Sequence, residues 1–262
     1  MISIYLKNII LNLISERCDS NYYAGRPKSL SNEYVLSFCF KVLRSGMQWS
    51  ELTVVNGSSK TVYNRFRIWT KLDIFKDAYE IILKKYISVF NFNDTFKYFA
   101  TDTTFIKSIG GHDCIGKNPT DRGRNATKIS ILTDNFGVPW SISFFKANQN
   151  DCTVIPDTIN ALAHPIKQGL PIYADKGYDS KHCRQQLYDI GLNPIIAKRN
   201  TVSPKSYEES RFIVENSFSW IKQYRRIRNR YEIKIKYFES MVFLAVSNFI
   251  GKRIQKFNFK VT

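Results

Sequence analysis

Acidic side chains are scarce in this 262-residue chain: 22 Asp and Glu face 39 Lys and Arg, a formal charge of +17 at neutral pH. The shortage is sharpest from residue 198 to residue 262, where 15 basic side chains stand against 5 acidic ones. Such a balance implies a polyanionic partner, nucleic acid first and an anionic membrane surface second, with a merely well-solvated basic surface as the plain alternative. Cysteine is sparse too. Cys18, Cys39, Cys114, Cys152 and Cys183 are odd in number and form no C-x-x-C pair or short Cys/His cluster. Neither a disulfide framework nor a zinc site is indicated, and a reducing cytosol fits. Long apolar runs are missing as well. Nothing approaches the roughly 20 residues that span a bilayer, which removes an integral-membrane reading. The apolar start, Met1 to Ser15, is broken by Lys7 and followed by no small-residue cleavage pattern, so it reads as an amphipathic helix. Internal repeats and low-complexity segments are absent. Core material is plentiful: 44% hydrophobic residues with 15% aromatics can build one large domain, or a main domain with a small partner.

Along the chain, a turn at Ala24-Gly25-Arg26-Pro27 precedes helical spacing of Val35, Leu36, Phe38, Cys39, Val42 and Leu43, closed by Gly46. A stop at Val55-Asn56-Gly57 and a cap in Ser58-Ser59-Lys60-Thr61 open a helix through Val62, Tyr63, Phe66 and Trp69. This helix, turn, helix arrangement puts Lys60, Asn64, Arg65 and Arg67 on the later helix, side chains suited to phosphates and to base edges in a major groove. An ordinary helical hairpin with a solvated face fits the same pattern equally well. Another amphipathic stretch, Lys76 to Phe90, leads to the polar patch Asn91-Phe92-Asn93-Asp94, taken as a boundary between a helical domain, 1–93, and a second domain, 94–262.

From Phe96 the period becomes that of strands. Phe96–Thr104 is one extended run, and Lys128–Thr133 and Val138–Phe145 flank a hairpin signal at Asp134-Asn135-Phe136-Gly137. Asp151 is placed to cap a helix from about Thr153 to Ala163; Pro171–Ala174 is a short buried-type strand; a helix from Ser180 to Asp189 ends at Gly191; and Pro194–Lys198 is a last strand. The order describes a mixed α/β sheet with helices on its faces.

A final helix, Glu208 to about Tyr224, sets a single carboxylate, Glu215, in a basic stripe of Arg211, Ser219, Lys222 and Arg226, with Ile213, Val214, Trp220, Ile221 and Tyr224 opposite. By itself Arg211–Glu215 is an i,i+4 surface pair worth about 0.2–0.5 kcal/mol. Two acids upstream change its meaning. Asp102 sits late in the first strand and Asp175 directly after the fourth, so neighbouring strands can bring them together at one sheet edge with Glu215 supplied by the helix. Three close carboxylates repel unless a cation sits among them, and hard oxygen donors favour Mg2+ or Mn2+. Two such ions can activate a water and stabilise a leaving oxygen in phosphodiester cleavage. Asp134 and Asp151 read as turn or cap residues, and Asp179 as a candidate cap.

The chain resembles the DDE transposases of bacterial insertion sequences, in the insertion sequence five group, over nearly its whole length. The resemblance is carried by Tyr173-Ala174-Asp175-Lys176-Gly177-Tyr178-Asp179-Ser180, by Arg211, Glu215 and Lys222, by Thr101-Asp102-Thr103-Thr104, and by Gly123-Arg124-Asn125-Ala126-Thr127-Lys128. Leu43-Arg44-Ser45-Gly46-Met47-Gln48-Trp49 and Val62 to Trp69 are similar to that family's leading domain. The resemblance implies a ribonuclease-H-like catalytic domain with Asp102, Asp175 and Glu215 as ligands of Mg2+, Mn2+ substituting. It implies phosphate or substrate contacts for Arg211 and Lys222, and Arg225 and Arg226 join them in the expected DNA-binding set. Double-stranded DNA, element ends and target, is the implied partner of a homo-oligomer in the cytoplasm, on the nucleoid and not at a membrane. The family's signature tyrosine lies three positions before the arginine, where this chain has Glu208; Tyr207 is one residue further away. Two other readings compete with a transposase: a nuclease of the same fold, and an inactive DNA-binding repressor. The intact trio of acids argues against the repressor.

Overall fold

The computed structural model describes residues 1–19, 30–90, 95–198 and 205–261. The expected turn at 24–27 and the polar patch 91–94 lie outside them. The chain forms two compact units, residues 1–89 with 223–262, and residues 90–222.

The first unit is helical. Helix α1 (Ile4–Ile14) starts where the Ser3 hydroxyl accepts the Leu6 amide, and runs into a π-helical turn, Ser15–Asp19. Helix α2 (Asn32–Ser45) is capped by Ser31 and closed by Gly46 in the left-handed region at φ 74°, as the sequence predicts. Helix α3 (Ser59–Lys71) begins at Ser58, whose side chain accepts the Thr61 amide, satisfying one of the donors a helix start leaves unpaired. Helix α4 (Ile74–Val89) follows.

The sequence reading assigns everything after residue 93 to one domain, and the structure divides it differently. Residues 223–262 return to the helical unit. Their long helix packs on α4 and α1 and buries Phe238, Met241, Val242, Leu244, Val246 and Ile250. The Ser3 amide donates to Asn248 Oδ1 at 2.8 Å, joining positions 245 apart. The basic residues of this stretch sit towards its ends, whereas residues 241–248 are buried all round.

The second unit is a mixed sheet. Strand β1 (Phe99–Ser108) starts and ends later than the expected run Phe96–Thr104. It pairs antiparallel with β3 (Asn125–Asp134) and parallel with β5 (Pro171–Ala174), which pairs parallel with β6 (Asn193–Ile196). The far edge of β3 holds β4 (Pro139–Lys146) and the two-residue β2 (Gly116–Lys117). Helices α5 (Asp151–Asn160), α6 (Lys181–Asp189) and α7 (Lys205–Ile221) complete the unit. Three antiparallel strands followed by two parallel ones, with helices between and after them, is the expected ribonuclease-H-like arrangement. Two caps differ from expectation. Asn150, not Asp151, accepts the Cys152 amide at the start of α5, and Ser180, not Asp179, caps α6.

Asp134 does more than turn the chain. It is fully buried; Oδ1 accepts the amides of Phe136 and Val138, and Oδ2 accepts the Trp140 indole N–H at 3.1 Å. Gly137 completes the turn at φ 74°. Asp134→Ala leaves buried donors without an acceptor, and urea unfolding is expected to show a loss of about 1–3 kcal/mol; an unchanged midpoint would mean that the hairpin re-pairs those donors.

Candidate active site

Strands β1 and β5 run parallel with Thr101 opposite Ala174, so the next residue of each, Asp102 and Asp175, emerges at the same end of adjacent strands. Helix α7 packs on β1 and β5 through Val214, Ser217, Phe218 and Ile221. The buried Ser217 hydroxyl fixes the helix by donating to the Gly137 carbonyl at 2.8 Å. With that face committed, the flank beside it, Arg211, Glu215 and Lys222, borders the strand ends, while Phe212, Asn216 and Ser219 on the far side are exposed. Arg211 Nη1 lies 3.2 Å from Asp175 Oδ1, and Nη2 lies 3.0 Å from Glu215 Oε1. One guanidinium therefore joins two of the three acids.

Asp102 accepts the Thr103 amide on Oδ1 at 2.8 Å. Burial pushes its carboxyl up to about 6; the Thr103 hydrogen bond and Arg211 oppose the rise, and the charges of Asp175 and Asp151 add to it. Burial also raises the phenol of Tyr178, assisted by Asp102 and Asp151. Lys222 Nζ donates to Thr104 Oγ1 at 2.5 Å, two residues along the strand from Asp102, and burial lowers its pKa. Negative charge is concentrated at one sheet end, bordered by two cations.

The donors in this group are carboxylate oxygens, the hard set that suits Mg2+ or Mn2+, and their mutual repulsion is what a divalent ion relieves. In chemistry the residues fit a divalent ion. Among the described residues, no three Asp, Glu, His or Cys side chains converge as a ready-made cage, and Arg211 stands between Asp175 and Glu215.

The structure joins Asp175 and Glu215 through Arg211, sets Asp102 beside Asp175 and ties Lys222 to Thr104, all in the sheet unit; Lys60, Asn64, Arg65, Arg67, Arg225 and Arg226 belong to the helical unit. Helix α7 stops at Ile221, so the stripe does not continue to Arg226. Arg225 and Arg226 open a short helix, α8 (Arg225–Arg228), in the helical unit. Arg226 is buried there: Nε meets Glu232 Oε1 at 2.6 Å, Nη1 donates to the Met47 carbonyl at 3.1 Å, and the guanidinium lies 5.1 Å from the Tyr231 ring centre. It is a core ion pair and not a groove-reading side chain. Arg225 is exposed, with its Cβ about 3.0 Å from the position a Cβ would take on Gly46.

On α3, Lys60, Asn64 and Arg67 are exposed, and Arg67 Nε donates to the Tyr237 hydroxyl at 3.2 Å. Arg65 is turned inward instead, donating to the Leu30 carbonyl at 2.6 Å and to Asn32 Oδ1 at 3.3 Å, where it ties the start of α2 to α3. His112 is exposed, and the Tyr207 side chain lies outside the described residues.

Sequence reasoning missed two residues. Lys128, 3% exposed, meets Asp151 Oδ1 at 2.7 Å, and Asp151 lies close enough to Asp102 to raise its pKa. A signal was present: Lys128 begins the apolar run Lys-Ile-Ser-Ile-Leu of a central strand, and a buried lysine requires an acid.

A family model described as "Transposase DDE domain" matches residues 99–248, and one described as "Putative transposase of IS4/5 family" matches residues 8–78. The chain belongs to the DDE transposase family. A curated protein from Burkholderia cepacia, "Putative transposase for insertion sequence element IS402", is 38% identical over 129 residues, which is 47% of this chain and 61% of that protein. A Brucella ovis protein, "Putative transposase for insertion sequence element IS6501", is 29% identical over 126 residues, covering 45% of this chain and 93% of that one. Among solved structures, a piggyBac transposase synaptic complex with hairpin DNA superimposes with a TM-score of 0.50 at 11% identity, over 94% of this chain and 71% of that chain, a likeness of fold. No described helix is long and apolar enough to cross a membrane.

Arg226→Met leaves Glu232 buried without its cation, and denaturant titration is expected to show a loss of about 3–5 kcal/mol, with Arg226→Met/Glu232→Leu recovering most of it. Were Arg226→Met as stable as the parent, the pair would not be part of the core.

Proposed function

We propose that this protein binds the terminal inverted repeats of its own insertion element, cleaves DNA at those ends and joins the freed 3′-OH to target DNA, as a homo-oligomer that holds two ends at once. The observation that carries the reading is the Arg211 bridge from Asp175 to Glu215, set beside Asp102 at the ends of two parallel strands.

Asp102, Asp175 and Glu215 are the carboxylates that would hold Mg2+, with Mn2+ as a substitute; when bound, such ions supply activation of the attacking oxygen and stabilisation of the leaving one. The chain's own residues do the rest. Thr103 orients Asp102 through its amide, and α7 carries Arg211 and Glu215 on one face towards the strand ends. Arg211 and Lys222 are cations beside the acids and fit the phosphates flanking the scissile bond. In joining, the freed 3′-OH gives up its proton as its oxygen attacks a target phosphorus, one phosphodiester bond forms as another breaks, and the departing 3′-oxygen of the target takes up a proton.

For end recognition, α3 offers Lys60, Asn64 and Arg67 as its exposed polar face, Arg65 being engaged in the fold. The charge of +17 accounts for sequence-independent attraction to DNA.

Asp102→Asn, Asp175→Asn and Glu215→Gln are each expected to abolish cleavage of labelled element ends while leaving end binding nearly intact. Each amide keeps the size and loses the charge, and because the three act as a unit, double changes should add little. Ca2+ should support binding but not chemistry, since its larger, flexible shell positions the reacting oxygen poorly. Joined product with a target plasmid supports transposition; cleavage alone would leave a nuclease of the same fold.

Lys60→Ala and Arg67→Ala should each lower the slope of log affinity against log salt by about 0.9 if each contacts one phosphate. Asn64→Ala should instead narrow the difference between end DNA and random DNA. Equal loss on both DNAs at Asn64 would remove it from base recognition.

A further inference from the structure

Asp151 is the first residue of α5 and is not needed as a cap, because Asn150 fills that role. Its carboxylate is used elsewhere. Oδ1 accepts the Thr103 hydroxyl at 2.9 Å and Lys128 Nζ at 2.7 Å. Lys128 is almost fully buried, lies 5.2 Å from the centre of the Phe105 ring and also donates to the Gln149 carbonyl. Thr103 is the residue whose amide holds Asp102. On the other side, Asp151 Oδ2 lies 3.3 Å from where a Cβ on Gly177 would stand, and the next residue, Cys152, donates its thiol to the Gly177 carbonyl at 3.2 Å. Gly177 is two residues after Asp175. Asp151 thus bonds, through one carboxylate oxygen, the neighbour of Asp102 and a buried lysine from β3, while its other oxygen faces the turn that carries Asp175, a turn the adjacent Cys152 holds.

Lys128 is 3% exposed and Asp151 33%, so the lysine carries most of the desolvation cost, which offsets much of its attraction to the acid. What the pair supplies here is geometry. We propose that Asp151, held by Lys128, is a positioning residue that fixes the mutual orientation of the Asp102 and Asp175 carboxylates through Thr103 and the Gly177 turn, and so sets the affinity of the pair for a divalent cation. Ligand carboxylates are commonly oriented by such outer hydrogen bonds, whose loss weakens metal binding about 10–100-fold. The inference rests on the reading that Asp102 and Asp175 hold a metal. It also accounts for glycine at 177, where a side chain would crowd Asp151 Oδ2 although the backbone is not in the left-handed region.

The test uses the full-length chain without DNA and follows Mn2+ binding by calorimetry and by the rise of the unfolding midpoint with Mn2+. The variants are Thr103→Val, Asp151→Asn and Lys128→Met/Asp151→Leu, with Asp102→Asn as reference. Asp151→Asn strands a buried lysine and can fail to fold; the double variant replaces both charges with apolar groups, and Thr103→Val deletes only the hydroxyl link. The expected result is that Asp102→Asn abolishes Mn2+ binding. The folded double variant and Thr103→Val should bind about 10–100-fold more weakly than the parent. Their end cleavage should be recovered by raising Mn2+, the behaviour of an altered site and not of a missing ligand. If the double variant and Thr103→Val bind Mn2+ as the parent does while Asp102→Asn does not, the positioning role is overturned and the metal reading stands. Parent-like Mn2+ binding by Asp102→Asn would overturn the metal reading, and the inference with it.

Discussion

Everything at the candidate site depends on the parallel pairing of two short strand segments, Phe99–Thr101 with Ile172–Ala174. Strand side chains alternate between faces, so a slip of one residue in that pairing would turn either Asp102 or Asp175 to the opposite side of the sheet. Several contacts oppose such a slip. The antiparallel register of β1 on β3 continues over nine residue pairs, from Phe99 with Asp134 to Lys107 with Ala126, and the Thr101 hydroxyl donates to the Ile131 carbonyl. Asp134, at the end of that ladder, holds the β3–β4 hairpin through its buried carboxylate, and the glycine of the same hairpin receives Ser217 of α7. The helix that carries Arg211 and Glu215 is thus referenced to the ladder that sets Asp102.

Much of this was legible in the sequence, for reasons that are local. Gly46, Ser58 and Gly137 announce a helix end, a helix start and a hairpin through backbone demands that few other residues meet. Period-two alternation and short apolar runs found the strands, although β1 was displaced by a few residues because its later half, Phe105–Ser108, is only partly buried. The Arg211–Glu215 spacing is helical geometry and needed only the helix to exist. The acids came from placing them at the ends of those runs, with family resemblance to single them out.

What was illegible depends on partners far away in the sequence. Arg226 looked like the last member of a basic stripe, and nothing local said that α7 would stop at Ile221 and leave Arg226 to meet Met47 across 179 positions. Arg65 looked like a base-reading side chain until the Leu30 carbonyl claimed it. Asp151 has the sequence context of a cap, and only the fold reveals that Lys128 and Thr103 converge on it. Charge totals say nothing of position: the basic residues of 198–262 bracket a centre, from Met241 to Asn248, that is core.

The return of residues 223–262 to the helical unit makes the sheet unit an insertion, so on the ribosome the two parts mature in an order that sequence position conceals. Residues 90–222 form a continuous stretch and can close their sheet as soon as α7 has emerged. Helices α1 and α4 are made first, yet they must wait for the last helix to complete their packing, as at Ile82, whose Cδ1 lies 3.0 Å from where a Cβ on Gly251 would stand. During that interval an apolar groove is open to the solvent, and an interrupted or truncated product keeps it open. A chain shortened at its C-terminus therefore loses the cover over α4 and part of the packing of its first helix, and the half-made helical unit is a natural substrate for chaperones and proteases.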